Sequence, residues 1–286
     1  MRNLKFAYLL QPQMKATKTM KRKCQSADRN YCAPRNKIAA LFVDIDGTVA
    51  VCQPYFDRGI EEFSHLMSLC GFSKRAAKKA LQEVYYGRKP FRGYDREKFG
   101  EAIADAYDHI CKKEGVRKDP LVSSICQRIG TAPFFQQPEL FPNALPVLTR
   151  ARHNFLIVAV TVGTREVQKY KIGQGGLSSV FDDTIFTLHE NKADLVQEFI
   201  EDNNVCPHHS AFIGNSMRSD GVTLNKTNFV YLPLEISLAS KCDKFPENTG
   251  FELFNAHNWT EAEERAIKRP MQTPKLESKL CSPIHD

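Results

Sequence analysis

The sequence predicts an α/β protein, a doubly wound parallel sheet carrying an α-helical insert. Three observations lead there. Five short apolar runs are nearly continuous rather than alternating, as strands covered on both faces require. Helix-like segments separate the later runs, the alternation expected of a doubly wound sheet. The stretch from about Tyr55 to Phe135 has helical periodicity and no strand-like run.

The first strand is expected at Ile38–Val43, in "IAALFV", and two carboxylates, Asp44 and Asp46, close it. The insert follows. Its apolar positions recur at helical spacing: Ile60, Phe63, Leu66 and Met67, then Ala76, Ala77, Ala80, Leu81 and Val84, then Phe99, Ile103, Ala106, Tyr107 and Ile110. Breaks fall at "CGFS", "YGRKPFRGY" and "EGVRKDP". A helix over "NALPVLTRAR" leads to a second strand at Phe155–Val160, and "TREVQKYKIGQGGL" follows it as helix. The remaining strands are expected at Asp183–Thr187, Ser210–Ile213 and Phe229–Leu232, with a helix over "NKADLVQEFIEDNN" before the fourth. The chain thus divides into a basic arm at 1–36, a core at 37–53 and 136–260, an insert at 54–135, and a tail at 261–286. The tail's pattern is lost from about Lys268 onward.

Composition narrows the function classes. The chain has 286 residues, 42% of them apolar and 26% charged, ordinary values for a globular protein. Runs such as "FLIVAV" are too short to span a bilayer, so no membrane partner is expected. Nine cysteines without a CxxC pair suggest reduced thiols and a cytoplasmic setting, with Cys70, Cys111 and Cys126 as small core residues. The net charge of +7 is uneven: residues 1–37 hold ten Lys or Arg and one acid, net +9, which leaves −2 for the rest. A polar, basic arm of this kind is expected to be disordered, and it fits a solvated tail, a transit segment, or a contact with nucleic acid or anionic lipid.

In doubly wound sheets, ligands bind beyond the carboxyl ends of the strands. After the first strand come Asp44, Ile45, Asp46, Gly47 and Thr48. After the second come Thr161, Val162, Gly163 and Thr164. Lys192 starts the helix before the fourth strand, and "GNSMRSD", Gly214 to Asp220, follows that strand. Two like charges one residue apart at a buried strand end repel and lose hydration, which calls for a compensating cation or phosphate site. Asp44 can serve as a nucleophile, Gly47 permits a tight turn, and Thr48 could hold Asp46. Thr161 and the N–H groups of Val162 and Gly163 are candidate donors to phosphate oxygens. Lys192 would offset charge at phosphorus. Lys169 and Lys171 lie about two to three helical turns past Thr161 and fit that role less well.

The DxDGT string after an apolar strand, the threonine, the lysine and the "GNSxRSD" loop together resemble the haloacid dehalogenase superfamily, over about Lys37 to Leu234. The resemblance implies a Rossmann-like core with a helical cap. It also implies Mg2+ held by the Asp44 side chain, the Asp46 backbone carbonyl and Asp220, with Asp46 as general acid and base. The chain departs from the commonest pattern at Asn215, where many members carry an aspartate; that removes one charge from the metal site.

The reaction expected is hydrolysis of a small phosphorylated metabolite through an aspartyl-phosphate. Dehalogenases of the family lack the second carboxylate, because a halide needs no proton, so Asp46 favours a phosphate. Phosphonate hydrolysis would need an insert lysine such as Lys74, Lys78 or Lys79, which sit in a basic helical run that reads as a solvated face. Two other classes remain open: a binding or scaffold protein on the same fold, and a nucleic-acid end phosphatase that uses the basic arm or the mixed basic and aromatic stretch Tyr85–Arg96. The sequence does not specify oligomeric state.

Overall fold

The computed structural model describes residues 38–87, 96–188, 192–235 and 250–268. All of them belong to one compact unit, Asn36–Asp286. The expected basic arm and most of Tyr85–Arg96 lie outside the described residues.

Six strands form one sheet. They are β1 (Ala40–Val43), β2 (Leu156–Val162), β3 (Asp183–Thr187), β4 (Ala211–Gly214), β5 (Asn228–Tyr231) and β6 (Leu253–Asn255). Their order is β3-β2-β1-β4-β5-β6, and every neighbouring pair is parallel. The chain steps outward from β1 to β3, then returns to β1's other side to build β4 through β6. The order therefore reverses beside β1, and the carboxyl ends of β1 and β4 flank the crevice where such sheets bind ligands.

Burial on both faces explains why the first strands read as continuous apolar runs. Leu41 and Val43 point to one face, into a cluster with α5 (Ala144–Ala151) and α8 (Trp259–Glu263); Ala40 and Phe42 point to the other, against α7 (Ala193–Asp202). Helix α6 (Arg165–Gln174) follows β2. The insert forms α1 (Gln53–Leu69), α2 (Lys74–Gly87), α3 (Arg96–Glu114) and α4 (Pro120–Thr131), then a 3-10 turn, Ala132–Phe135. These helices bury their own apolar cluster around Phe63, Met67, Ile103 and Cys126. Among the described residues, no helix is long and apolar enough to cross a membrane.

The structure differs from the sequence-based expectation in four places. Strand β2 runs two residues further than expected, so Thr161 and Val162 end the strand rather than follow it. Strand β6 was not expected: three residues, none fully buried, carry no readable periodicity. Residues 261–268 are not tail. They continue α8 into a π-helical turn, with Ala262 and Ala266 in the core and Glu263 clamped by both donor arms of Arg150 at 2.7 and 2.8 Å. Cys70 is exposed at the end of α1, whereas Cys111 and Cys126 are buried.

Trp259 ties this C-terminal helix to the rest. It is fully buried, and its indole N–H donates to the Thr48 carbonyl at 2.9 Å, in the loop after β1. Truncating a buried tryptophan removes packing and leaves a cavity. Trp259→Ala is expected to lower the unfolding free energy by about 3–5 kcal/mol, measured by urea denaturation; a loss below about 1 kcal/mol would contradict the packing described.

Candidate active site

The loop after β1 is built so that its two carboxylates part. Gly47 has a φ of 77°, a left-handed conformation that lets the chain turn sharply. No side chain fits there: a Cβ on Gly47 would lie 2.2 Å from the Asn215 amide nitrogen. The turn closes with the Gly47 N–H donating to the Ala50 carbonyl at 2.8 Å. As a result Asp44 and Asp46 face different partners.

Asp44 meets Lys192. The Lys192 ammonium donates to Asp44 Oδ1 at 2.6 Å and to Asp220 Oδ1 at 2.7 Å, so one lysine bridges two carboxylates. All three residues are buried, Lys192 at 1% exposure and Asp220 at 0%. The Thr48 hydroxyl donates to Asp44 Oδ2 at 3.2 Å. This corrects the expectation that Thr48 holds Asp46: the turn directs its side chain back four residues instead. Asp220 is held further by the Ser216 N–H at 3.0 Å on Oδ2 and the Ser219 hydroxyl at 3.1 Å on Oδ1. It thus braces its own loop while serving Lys192.

The electrostatics follow from this count of charges. Two buried carboxylates share one ammonium. Burial pushes the Asp44 carboxyl up, Lys192 pulls it down and Asp220 pushes it up again, for a value of about 7. Burial would lower Lys192, but Asp220 and Asp44 outweigh it and hold the ammonium above the usual lysine range. The cluster is therefore one positive charge short whenever Asp44 is ionised.

Asp46 meets different donors. Lys171 lies 2.5 Å from its Oδ1, and the Gln168 amide donates to its Oδ2 at 2.8 Å. Sequence spacing had ranked Lys171 below Lys192 for a single role at phosphorus. The fold gives each lysine its own carboxylate, and Gln168 was missed altogether. A signal was present: Gln168 and Lys171 are one helical turn apart, beside Val167 and Ile172 on the buried face of α6.

Thr161 is fully buried at the end of β2, and among the described residues its hydroxyl has no hydrogen-bond partner. A buried hydroxyl without a partner is costly and marks a place for a ligand acceptor. Gly163 departs from expectation: its N–H already donates to the Thr187 carbonyl at 2.8 Å, so it does not offer a free donor to a phosphate. Val162 ends β2, and its carbonyl accepts from the Gln168 amide at 3.1 Å. Asn215 packs over Gly47, as the 2.2 Å approach shows. Glu235, 183 residues from Cys52, accepts from the Cys52 N–H at 2.9 Å and the Gln53 N–H at 3.0 Å, and so caps α1 from beyond β5. No local pattern could reveal a contact of that sequence separation. Lys78 and Lys79 pair with Glu61 and Glu83 on the exposed face of the insert.

The site suits a hard divalent cation in one respect and not in another. Its donors are carboxylate and carbonyl oxygens around a charge deficit, the chemistry magnesium takes. Yet among the described residues no three His, Cys, Asp or Glu side chains converge on one cation position, because Lys192 stands between Asp44 and Asp220.

Comparison with solved structures identifies the fold. A haloacid dehalogenase-like family hydrolase from Xanthomonas campestris is similar at a TM-score of 0.65 and 18% identity, covering 82% of this chain and 93% of that one. The chain has the haloacid dehalogenase fold. YfnB of Bacillus subtilis, a magnesium-bound protein assigned as a HAD-hydrolase, is similar at 0.55 and 16% identity, covering 81% of this chain and 100% of that one. A predicted phosphoglycolate phosphatase from Haemophilus somnus is similar at 0.51 and 12% identity, covering 80% and 98%. Dehalogenases also occur among the matches. No protein-family model and no curated protein matches the sequence.

The raised carboxyl of Asp44 has a sign that can be checked. Its folded value, about 7, lies above the ordinary 3.8, so the fold disfavours the charged form. That penalty is full above about pH 7 and vanishes below about pH 4. With chelator present, the thermal midpoint is expected to rise as pH falls from 8 to 5, and Asp44→Asn is expected to raise the midpoint at pH 8 and flatten the slope. An unchanged slope in Asp44→Asn would contradict the assignment.

Proposed function

We propose that the chain is a magnesium-dependent phosphatase that hydrolyses a small phosphate monoester through an aspartyl-phosphate on Asp44. The observation that carries this is the buried Asp44–Lys192–Asp220 cluster at the strand-order reversal, with Asp46 two residues away and a Thr161 hydroxyl on the neighbouring strand that has no partner among the described residues.

A carboxylate oxygen of Asp44 attacks phosphorus, and the bond to the leaving oxygen breaks, its electron pair going to that oxygen. Asp46 gives the leaving oxygen a proton, so an alcohol departs rather than an alkoxide. The Asp46 carboxylate then takes a proton from water as the water oxygen attacks phosphorus, which releases phosphate and restores Asp44. The Thr161 hydroxyl donates to a phosphate oxygen, and Lys192 offsets the charge gathering there. Magnesium, held by the Asp44 side chain and the Asp46 backbone carbonyl with Asp220 beside them, would supply charge compensation and polarise the phosphoryl group. Asp220 contributes chiefly by holding Lys192, since both its oxygens already accept bonds. Asp46 favours a phosphate ester over a carbon–halogen bond because a departing halide needs no proton.

A cytoplasmic setting belongs to the same proposal, supported by five free cysteines among the described residues.

Hydrolysis of an aryl phosphate is expected to require added magnesium and to stop in chelator; full activity in chelator would remove the metal from the reaction. Asp44→Asn is expected to abolish turnover while the protein stays folded by circular dichroism. A folded, fully active variant would remove Asp44 from the role of nucleophile, and an unaltered chain without turnover would return it to the scaffold class.

A further inference from the structure

Asp46 is held by two donors of different kinds, and the difference assigns its two oxygens different work. Lys171 is a charged donor on Oδ1, 2.5 Å away, with its side chain only 10% exposed. Here ammonium meets carboxylate, so the contact is an ion pair as well as a hydrogen bond. The Gln168 amide is a neutral donor on Oδ2 at 2.8 Å, and it has a second acceptor, the Val162 carbonyl at 3.1 Å. If Oδ2 moves away, the Gln168 nitrogen keeps a partner. If Oδ1 moves away, Lys171 is left with its ammonium largely buried and without the carboxylate it pairs with. The two contacts are thus unequal in their cost of release.

We propose that Lys171 anchors Asp46 through Oδ1 while Gln168 parks Oδ2, so that Oδ2 is the oxygen that carries the proton to the leaving group. Lys171 and Gln168 are positioning residues; neither needs to touch the substrate. The arrangement rests on the phosphatase reading and sharpens it. The proton that Asp46 takes from water in the hydrolysis step is the one it gives to the leaving oxygen in the next turnover. Once that proton sits on Oδ2, the oxygen leaves the Gln168 amide, turns to the leaving oxygen and delivers it. The bond to Lys171 fixes the other oxygen as the pivot, which limits the search to one rotation about the carboxyl end. Trp259 and Glu235 fix the segment that follows Asp46, through Thr48 and Cys52, and the Asp44 N–H bonded to the Ile213 carbonyl fixes the one before it, so the backbone does not supply the movement.

The test compares two substrates, an alkyl phosphate that needs a proton on its leaving oxygen and an aryl phosphate that barely does. A positioned general acid is worth about 10²–10⁴ in rate. Lys171→Met is expected to lower kcat on the alkyl phosphate by about 10²-fold, with aryl turnover falling by less than about 10-fold and KM held within about 3-fold. Lys171→Arg is expected to restore most of the alkyl rate. Gln168→Leu, which removes the parking contact and leaves the anchor in place, is expected to lower the alkyl rate, but by less than Lys171→Met does. A second readout needs no turnover: in chelator, the thermal destabilisation by Lys171→Met is expected to be largely relieved in the Asp46→Asn background, because no charge is then left unpaired. Equal losses on both substrates in Lys171→Met without rescue by arginine, or strictly additive destabilisation, would overturn the proposal while leaving the phosphatase intact. An unaltered chain that turns over neither substrate would overturn both.

Discussion

One lysine between two buried aspartates sets the terms for the rest of the site. Lys192 reaches Asp44 from one side and Asp220 from the other, at 2.6 and 2.7 Å, and none of the three retains more than 5% exposure. Removing ions from water is expensive, and a lone pair of charges seldom recovers the loss. Here three ions do so only partly, and Asp44 keeps the deficit. On the proposed reading, a cation offsets that deficit and an approaching phosphate meets the two together. Sheet topology makes the cluster possible: Asp44 follows β1, Asp220 lies in the loop after β4, and the two strands are neighbours.

Around this cluster the chain uses distant residues to fix a short loop. The Trp259 indole holds the Thr48 carbonyl, and Glu235 caps the first helix of the insert. Asn215 closes over Gly47 so tightly that any side chain there would collide. Each contact restrains the same few residues, Asp44 to Gln53, which carry the proposed nucleophile and lead into the insert. Rigidity at that point would serve the proposed reaction, since an in-line attack loses rate quickly when the nucleophile is displaced.

The sheet was legible because burial on both faces writes itself as unbroken apolarity, and five of the six strands start and end within two residues of the expected runs. Strand β6 left no such trace, being short and only partly covered. Asp44, Asp220 and Lys192 could be ranked from their places at strand and helix ends. Their sharing of a single ammonium could not, since it depends on the angle at which α7 meets the sheet. Thr48 was read against the wrong aspartate because a left-handed glycine between them reverses the direction of the chain. Lys171 looked redundant as long as one lysine was thought sufficient. Gln168 carried a legible but unread sign, a polar pair at one-turn spacing on a helix face that is otherwise apolar.

The charge deficit is the claim on which the account turns, and calorimetry reads it directly. Magnesium titrated at pH 6.5 into buffers of different ionisation enthalpy reports both the binding and the protons displaced. At that pH a substantial share of Asp44 carries a proton, given its value of about 7. The account predicts saturable binding with net proton release, and both the release and most of the affinity lost in Asp44→Asn. Binding without proton release, or undiminished binding to Asp44→Asn, would show that the cation settles elsewhere and that the buried cluster is complete as it stands.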